Sequence, residues 1–256
     1  MVGSQETFQQ AWPGIHFDFR AASVLVTGGT SGIGAAMARA FQAAGAQVTI
    51  TGTRESLDAY AEAPEGVSYQ PLKLQDRESL QALAGRFDQL DVLINNAGGT
   101  GGAEQPFDFD TAVQVNLNAV YHLSEALSGA LARSRWPGGA SIINLASEMA
   151  LFGSPYFPGY GAAKAAVVQL TRTQAVTLAE HAIRANALLP GSVPTPMTAA
   201  FAENQDIHEM VADKTPLGRW GRPEEIAGPA LFLASPLASF ISGHTLVVDG
   251  GYSIFE

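Results

Sequence analysis

The chain has 256 residues, enough for one full hydrophobic core, and a formal net charge of −10 with a pI near 4.9. This acidic balance argues against a nucleic-acid partner, and the absence of cysteine excludes disulfides, thiolate catalysis and cysteine-ligated metals, so we expect no metal. The sequence shows neither a secretory leader nor an apolar stretch of about eighteen residues. We therefore expect a cytoplasmic protein with no membrane partner.

Short apolar, β-branched segments alternate with alanine-rich segments along the chain. Continuous hydrophobicity is typical of strands that are buried on both faces of a parallel sheet. The predicted strands are Ser23–Thr27, Gln47–Thr51, Val67–Leu74, Val92–Asn95, Ser141–Leu145, Arg184–Leu189 and Thr245–Val248. The predicted helices are Gly32–Ala44, Arg77–Phe87, Phe109–Arg133, Gly159–Glu180 and Pro223–Leu233.

The repeated β-α-β order predicts an α/β fold of the Rossmann type, with a doubly wound parallel sheet of about seven strands and helices on both faces. We expect residues 1–20 to form an N-terminal extension. Residues 21–256 are predicted to form a single dinucleotide-binding and catalytic domain.

A glycine-rich segment, TGGTSGIG at residues 27–34, follows the first strand and opens the first helix. Glycines here permit a tight turn and let the backbone approach a pyrophosphate at the helix N-terminus. The spacing is Gly-x-x-x-Gly-x-Gly rather than the generic Gly-x-Gly-x-x-Gly fingerprint. The strand–loop–helix context favours a dinucleotide site over a glycine turn without a ligand.

A second polar segment, NNAG at residues 95–98, ends the fourth strand. In an open parallel sheet the ligand crevice lies outside the carboxyl ends of the strands, where the strand order reverses. Asparagine side chains can fix this loop, while Ala97 and Gly98 leave room for a flat ring. An ordinary turn is an equally good interpretation of this segment taken alone.

Tyr160 and Lys164 are four residues apart on a predicted helix, so their side chains share one face. A phenol ionises near pH 10, about three units too high for acid–base work near neutral pH, and a nearby ammonium lowers its pKa. The Ser147 hydroxyl could hold a carbonyl or alcohol oxygen against Tyr160. These three residues predict a proton-transfer site for carbonyl chemistry.

Together these motifs resemble the short-chain dehydrogenase/reductase family, in particular its 3-oxoacyl-reductase-like branch. The resemblance covers nearly the whole chain after about Arg20. It is carried by TGGTSGIG at 27–34, NNAG at 95–98, Asn116 in QVNL, Ser147, YGAAK at 160–164, NALLPGSVPTPM at 186–197, PLGRWGRPEEIA at 216–227 and VDGGY at 248–252. It implies an NAD(P)-dependent oxidoreductase that interconverts a secondary alcohol and a ketone by hydride transfer.

The resemblance also implies the role of each site residue. Tyr160 is the general acid/base, Lys164 holds the nicotinamide ribose and lowers the pKa of Tyr160, and Ser147 orients the substrate oxygen. Asn116 keeps a water for proton relay. Besides Tyr160 and Lys164, the implied cofactor contacts are Gly28, Ser31, Gly32, Ile33, Gly34, Leu74, Asn96, Ala97, Gly98, Val193 and Thr195. Lys73, next to Leu74, stands where the family often has an acidic residue.

The end of the second strand bears on the choice of cofactor. An NAD enzyme usually carries Asp or Glu there, to hold the ribose 2′-hydroxyl, and here the corresponding position is Gly52. Thr53 and Arg54 follow it and could bind a 2′-phosphate. We therefore predict NADP(H), with NAD(H) as the alternative, although Ser31 stands where many NADP-users carry a basic residue.

The substrate is predicted to contact Ser147, Met149, Tyr156 and Tyr160, with Met149, Phe152 and Tyr156 as one wall of its pocket. Tyr156 is not a second catalytic tyrosine, because the residue four positions on is Tyr160 rather than lysine. The segment Ser192–Lys214 is predicted to be a lid over the opposite side. The interspersed apolar residues favour a small ketone or secondary alcohol that is apolar or amphipathic rather than heavily charged.

The predicted helix Gly159–Glu180 is apolar over more than one face, so a second face is expected to contact another subunit. The resemblance implies a homotetramer. Two other functions stay open: a non-catalytic dinucleotide-sensing protein, which needs no proton relay, and a sugar-nucleotide epimerase or dehydratase. Chains of the last kind usually have Gly-x-x-Gly-x-x-Gly and a larger C-terminal region, and this chain has neither.

Overall fold

The computed structural model describes residues 16–100 and 108–255. The strands are β1 (Ser23–Val26), β2 (Gln47–Gly52), β3 (Ser68–Pro71), β4 (Val92–Asn95), β5 (Ala140–Leu145), β6 (Ile183–Pro190) and β7 (Thr245–Val248). The helices are α1 (Gly32–Ala43), α2 (Arg77–Ala84), α3 (Phe109–Val113), α4 (Ala119–Ala132), α5 (Pro158–Thr177), α6 (Ala199–Ala202), α7 (Gln205–Lys214) and α8 (Pro223–Ala234).

The seven strands form one parallel sheet in the order β3-β2-β1-β4-β5-β6-β7. The chain builds outward from β1 to β3 and then returns to the other side of β1 with β4. The strand order therefore reverses between β1 and β4, and a crevice opens at their carboxyl ends. This confirms the predicted doubly wound Rossmann-type fold.

Helices cover both faces of the sheet. α1 and α8 pack on one face over the apolar side chains of β1 and β2, and α2 and α4 pack on the other. Both β4 and β5 are buried along their whole length, as continuous apolar strands between two helical layers should be. In the part of the chain that the structure describes, no helix is both long and apolar enough to cross a membrane.

A buried polar network ties the centre of the sheet to α4 and α5. The Asn95 amide donates to Ser124 Oγ at 3.0 Å and to Asn144 Oδ1 at 2.8 Å. The Asn144 amide in turn donates to Thr171 Oγ1 at 2.9 Å and Gln174 Oε1 at 2.8 Å. Buried polar groups must find such partners, and these fix α5 against β5.

Most of the predicted N-terminal extension, residues 1–15, lies outside the described residues. In the part that is described, Phe19 is 1% exposed. Its ring stacks on Trp136 at 5.0 Å between centroids and meets the edge of Phe41 at 4.9 Å. Phe19 therefore contributes to the core on the α1 side of the sheet.

The structure differs from the predicted elements mainly at their ends. β3 stops at Pro71 rather than at residue 74, because its partner β2 ends at Gly52. The predicted helix of residues 109–133 is interrupted by a π-helical turn, Gln114–Asn118, between α3 and α4. The two helices α6 and α7 lie in the segment predicted to be a lid.

Candidate active site

A cavity of about 600 Å³ lies at the carboxyl ends of β1, β4, β5 and β6. Most of the predicted site residues line it. They are Gly28, Ser31, Gly32, Ile33, Gly34, Thr53, Leu74, Asn96, Ala97, Gly98, Asn116, Ser147, Met149, Tyr160, Lys164, Val193 and Thr195. Two predicted residues, Arg54 and Tyr156, do not line it.

The glycine loop forms one end of this cavity. Gly28 has φ +64° and Gly32 has φ +52°, values that side chains other than glycine rarely adopt. A Cβ on Gly34 would collide with the Gly28 carbonyl oxygen. Ser31 precedes the first turn of α1 without capping it through its side chain, so the N–H groups of that turn face the cavity's end. This cradle suits a pyrophosphate.

The glycine loop is joined to the end of β4 through Thr27. The Thr27 hydroxyl donates to the Ile94 carbonyl at 3.2 Å and accepts from the backbone N–H groups of Asn96 and Ala97, each at 3.0 Å. The Asn96 amide donates to the Thr27 and Gly28 carbonyls at 2.9 and 3.1 Å. In this structure Asn96 thus holds the shape of the loop.

Ser147, Tyr160 and Lys164 meet at the middle of the cavity. Ser147 follows β5, and its Oγ accepts from the Met149 N–H at 3.2 Å. Tyr160 and Lys164 project from the first two turns of α5, with the Lys164 Nζ 5.5 Å from the centre of the Tyr160 ring. The Lys164 ammonium donates to the Leu145 carbonyl at 2.6 Å, which anchors it beside the end of β5.

Asn116 lies in the π-helical turn between α3 and α4 and is fully buried. Its Nδ2 donates to the carbonyls of Gly99 at 2.6 Å and Ala112 at 2.7 Å. A Cβ on Gly98 would collide with the Asn116 Oδ1 and lie 3.6 Å from the Lys164 Nζ. Asn116 therefore lies close to Lys164. Single π turns inside helices are frequent at functional sites.

The electrostatics differ from the sequence expectation at Tyr160. Burial raises the pKa of Tyr160, the Ser147 hydrogen bond lowers it, and the Glu148 charge raises it, with a net shift upward. Burial lowers the pKa of Lys164 to about 8. The expected lowering of the Tyr160 pKa by Lys164 is therefore not seen here: burial dominates the shift, and the Lys164 ammonium donates to the Leu145 carbonyl.

Glu148 was missed by the sequence reasoning. It lines the cavity directly after Ser147, its Oε1 accepts from the Ser192 hydroxyl at 3.1 Å, and its Oε2 is buried with no partner among the described residues. Burial raises the pKa of Glu148 to about 7, against the Ser192 hydrogen bond and with help from the Asp249 charge. Only its position after a catalytic-type serine could have signalled it.

The part of the cavity predicted to hold the substrate is largely apolar. Besides Met149 it is lined by Phe157, Met197, Phe201, Ile207, Val211 and Trp220. The predicted lid supplies four of these side chains. The rings of Phe201 and Phe157 pack edge to face with their centroids 6.2 Å apart, so the predicted lid contacts the residue that immediately precedes α5.

The predicted wall of Met149, Phe152 and Tyr156 is wrong in two of its three members. Tyr156 is 72% exposed and packs against Phe157 outside the cavity, so Phe157 takes its place. Phe152 turns toward Tyr252, with ring centroids 6.0 Å apart. Both residues precede α5 in a loop, where helical spacing gives no guide to direction.

The end of β2 also departs from prediction at Arg54. Its guanidinium carbon lies 4.9 Å from the centre of the Tyr60 ring, and its Nη1 donates to the Ala59 carbonyl. Tyr60 lines the cavity instead, together with Gly52 and Thr53, whereas Lys73 does not. Among the described residues, no group of three or more His, Asp or Glu side chains could hold a metal ion.

Known proteins resemble this chain over nearly its full length. Residues 28–253 match the family model described as enoyl-(acyl carrier protein) reductase. The 3-oxoacyl-[acyl-carrier-protein] reductase of Thermotoga maritima is 36% identical over 244 residues, which are 90% of this chain and 97% of the relative. The cis-4-hydroxycyclohexanecarboxylate dehydrogenase of Sinomonas cyclohexanicum is 38% identical over 239 residues, which are 90% of this chain and 95% of the relative.

Solved structures agree. A gluconate 5-dehydrogenase from Burkholderia cenocepacia in complex with NADP and tartrate has a TM-score of 0.83 at 28% identity, covering 94% of this chain and 98% of that one. The match of the family model, the identity with the two relatives and the geometry of the cavity confirm the resemblance inferred from the motifs. The chain belongs to the short-chain dehydrogenase/reductase family, whose members are NAD(P)-dependent oxidoreductases of alcohol and carbonyl groups.

Proposed function

We propose that this chain interconverts a secondary alcohol and a ketone with NADP(H), and that Tyr160 is its general acid/base. The observation that carries the proposal is the convergence of Ser147, Tyr160, Lys164 and Asn116 on one cavity at the point where the strand order reverses. A protein that only binds a dinucleotide needs no such proton-transfer group.

The described residues fit a nicotinamide dinucleotide. The glycine cradle at the start of α1 suits the pyrophosphate, and Val193 and Thr195 line the same cavity. When bound, the cofactor supplies or accepts the hydride. Thr195 lies against Gly32, with 3.1 Å between the Thr195 Cβ and the place of a Cβ on that glycine. The base of the lid is therefore in contact with the phosphate cradle.

The side chains perform the proton chemistry. In ketone reduction the Tyr160 hydroxyl donates its proton to the carbonyl oxygen, and in alcohol oxidation the same oxygen takes a proton back. The Ser147 hydroxyl holds the reacting oxygen. Lys164 lies on the same helix face as Tyr160, and Asn116 lies beside Lys164, so these two can return a proton from solvent to Tyr160.

The choice of NADP(H) is supported by the end of β2. Position 52 is glycine, so no carboxylate at that place repels a 2′-phosphate, and the Thr53 hydroxyl lines the cavity there. Arg54 is close by but would have to leave the Ala59 carbonyl to reach a phosphate. The gluconate 5-dehydrogenase cited above was solved with NADP, which agrees with this choice.

The lining of the cavity supports a small apolar or amphipathic substrate. Phe157, Met197, Phe201 and Trp220 surround the space beyond Tyr160, with Ser147 and Glu148 as polar points. The anionic carboxylate of Asp249 adds a negative field behind Glu148. A substrate that carries a carboxylate should therefore be disfavoured.

A panel of alcohols and ketones tests the proposal by nicotinamide absorbance at 340 nm with both cofactors. It should contain cyclohexanols, aliphatic ketones, a 3-oxoacyl thioester and gluconate. We expect turnover of neutral cyclic or acyl substrates with NADP(H) and little with gluconate. Normal dinucleotide binding without turnover of any of these would favour a sensor instead.

The homotetramer and the cytoplasmic location also belong to the proposal. Exposed apolar side chains on α3, α4 and α5 support self-association: Phe109 is 50% exposed, Tyr121 44% and Val176 78%. A second copy of this chain would cover them around two-fold axes. The location still rests on the sequence alone.

A further inference from the structure

The end of β2 contains a steric relationship that the sequence motifs do not show. A Cβ on Gly52 would lie 2.6 Å from the Tyr60 hydroxyl oxygen, and 2.9 Å both from the ring carbon that carries it and from the Thr30 Cγ2. Real Cβ atoms essentially never show such separations, so a neighbouring side chain would have to shift. The Tyr60 hydroxyl therefore occupies the space in which a side chain at position 52 would begin, although the two residues are eight positions apart.

Because this space lies at the end of the second strand, we expect it to face the 2′ position of the adenosine ribose of a bound cofactor. In Rossmann-type sites an acidic residue shortly after the second strand binds the ribose 2′-hydroxyl. Here Gly52, Thr53 and Tyr60 line this end of the cavity. The polar group presented there is a phenol rather than a carboxylate.

Tyr60 is held in this position from several sides. Its hydroxyl oxygen accepts from the Arg54 N–H at 2.8 Å, and the Arg54 guanidinium lies over its ring. The Tyr69 ring lies 6.1 Å away, and its hydroxyl donates to the Arg54 carbonyl. The phenol is therefore fixed before any cofactor binds, which reduces the entropy lost on binding.

Tyr60 lines the cavity, so the hydrogen of its hydroxyl can point into it. The Thr53 Oγ1 lies 3.4 Å from the Tyr60 hydroxyl oxygen, and either of the two could be the donor. Burial raises the pKa of Tyr60, but hydrogen bonding with Thr53, the Arg54 N–H and Tyr69 together outweighs it, so the pKa lies below the ordinary value of 10.0. A more acidic phenol is a stronger donor, and a phosphate oxygen is a stronger acceptor than a ribose hydroxyl.

We propose that Tyr60 reads the 2′ position of the cofactor: its hydroxyl donates to the 2′-phosphate of NADP(H), and its ring excludes the acidic side chain that would select NAD(H). The inference rests on the proposed function only in requiring that the chain bind a nicotinamide dinucleotide. Arg54, stacked on the same ring, is the neighbouring cation.

The test measures binding without a substrate, so it does not depend on the unknown ketone. Dissociation constants for NADPH and NADH are measured by nucleotide fluorescence, and those for 2′,5′-ADP and ADP by calorimetry. Tyr60→Phe removes the hydroxyl and keeps the ring. We expect this variant to raise the dissociation constants of NADPH and 2′,5′-ADP by about ten-fold. Those of NADH and ADP should rise by less than about two-fold.

Tyr156→Phe is the matched control. It removes a phenol hydroxyl from a side chain that is 72% exposed and does not line the cavity. It should leave the ratio of the NADPH and NADH constants unchanged. If Tyr60→Phe weakens both nucleotides equally or neither, or if the wild type prefers NADH, the inference is overturned while dinucleotide binding stands. If the wild type binds no nucleotide, the proposed function fails as well.

A second pair of variants tests the steric half of the proposal. Gly52→Asp alone should lower the affinity for NADPH without raising the affinity for NADH, because Tyr60 occupies the space of the new side chain. Gly52→Asp combined with Tyr60→Ala should bind NADH at least about ten-fold more tightly than Gly52→Asp alone. Equal NADH binding by the single and double variants would contradict the exclusion.

Discussion

The side-chain amide of Asn116 binds both backbone groups of Gly99: its Oδ1 accepts from the Gly99 N–H at 3.2 Å, and its Nδ2 donates to the Gly99 carbonyl at 2.6 Å. The loop after β4 is thereby fastened to the π-helical turn. A Cβ on Gly98 would also lie 3.6 Å from the Lys164 Nζ, so this loop packs closely beside both Asn116 and Lys164.

Gly98→Ala tests this arrangement. The new methyl group would collide with the Asn116 Oδ1, so we expect the fold to persist and kcat to fall by about a hundred-fold, the usual cost of displacing a catalytic group by an ångström. Steady-state kinetics and circular dichroism check this. Gly153→Ala is the control, because a Cβ there meets nothing within 4 Å. Wild-type kcat in Gly98→Ala would contradict the proposed role of Asn116.

Tyr160→Phe should retain cofactor affinity and lose about a hundred- to ten-thousand-fold in kcat, since only the proton donor is removed. Lys164→Met should lose turnover and also bind the cofactor more weakly. Tyr156→Phe is a matched control four residues earlier, where the side chain is 72% exposed and outside the cavity. A Tyr160→Phe enzyme with a large fraction of wild-type kcat would exclude Tyr160 as the acid/base.

Glu148 should make the stability of the fold depend on pH. Because burial raises its pKa from 4.5 to about 7, the folded protein binds this proton more tightly than the unfolded chain does. The stability that Glu148 contributes is complete below about pH 4.5 and is lost as the pH rises through 7. Asp249, Tyr160 and Tyr252 are the titratable groups that face it.

Glu148→Gln removes this dependence, since the amide stays neutral. Urea denaturation gives the free energy of unfolding at pH 5 and pH 8. Between these pH values, the free energy of unfolding of the variant should rise relative to that of the wild type by up to about 3 kcal/mol. Glu209→Gln, an exposed carboxyl on α7, should show no such gain. A constant difference between variant and wild type at both pH values would mean that Glu148 is not buried as a neutral acid.

The segment Ser192–Lys214 should close when the ternary complex forms. Its exposed Met197, Phe201 and Met210 are chymotrypsin sites, and in α7 only Val211 is buried. Cleavage between Pro194 and Lys214 should fade when NADP⁺ and an alcohol substrate are both present. Phe240, which is fully exposed, is an internal control whose cleavage should persist. Equal cutting of the segment in both states would mean that it is no lid.

The exposed face of α5 should bury itself against a second copy of the chain. Light scattering at micromolar concentration should give the mass of a tetramer, and Ala165→Glu should reduce it, because a carboxylate would be desolvated in the interface. Gln81→Glu adds the same charge on the exposed side of α2 and should leave the mass unchanged. A monomeric wild type would refute the association.

Much of the site could be predicted because it depends on local geometry. Gly28 and Gly32 follow a strand and have the positive φ that the turn needs, and Tyr160 and Lys164 share a helix face by spacing alone. Families conserve such local arrangements as readable motifs, so the predicted family and oxidoreductase class are confirmed.

The residues that were missed or misplaced depend on how loops fold back. Tyr60 reaches the end of β2 from eight residues further on, and it also draws Arg54 away from the cavity. Phe157 rather than Tyr156 points into the cavity. It immediately precedes α5 and contacts Phe201, and the backbone of the loop before the helix sets the direction of its side chain. The burial of Glu148 is completed by Ser192, which follows a different strand. The pattern of apolar and polar residues along the sequence does not reveal contacts of this kind.

The ring of Phe19 has a practical consequence. It packs against Phe41 of α1 and against Trp136, which precedes β5. A truncated chain that begins at residue 21 would therefore have a cavity in the core next to α1, the helix that follows the glycine loop. Purification tags and fusion partners should therefore be joined before Phe17, so that Phe17 and Phe19 can still pack against the core.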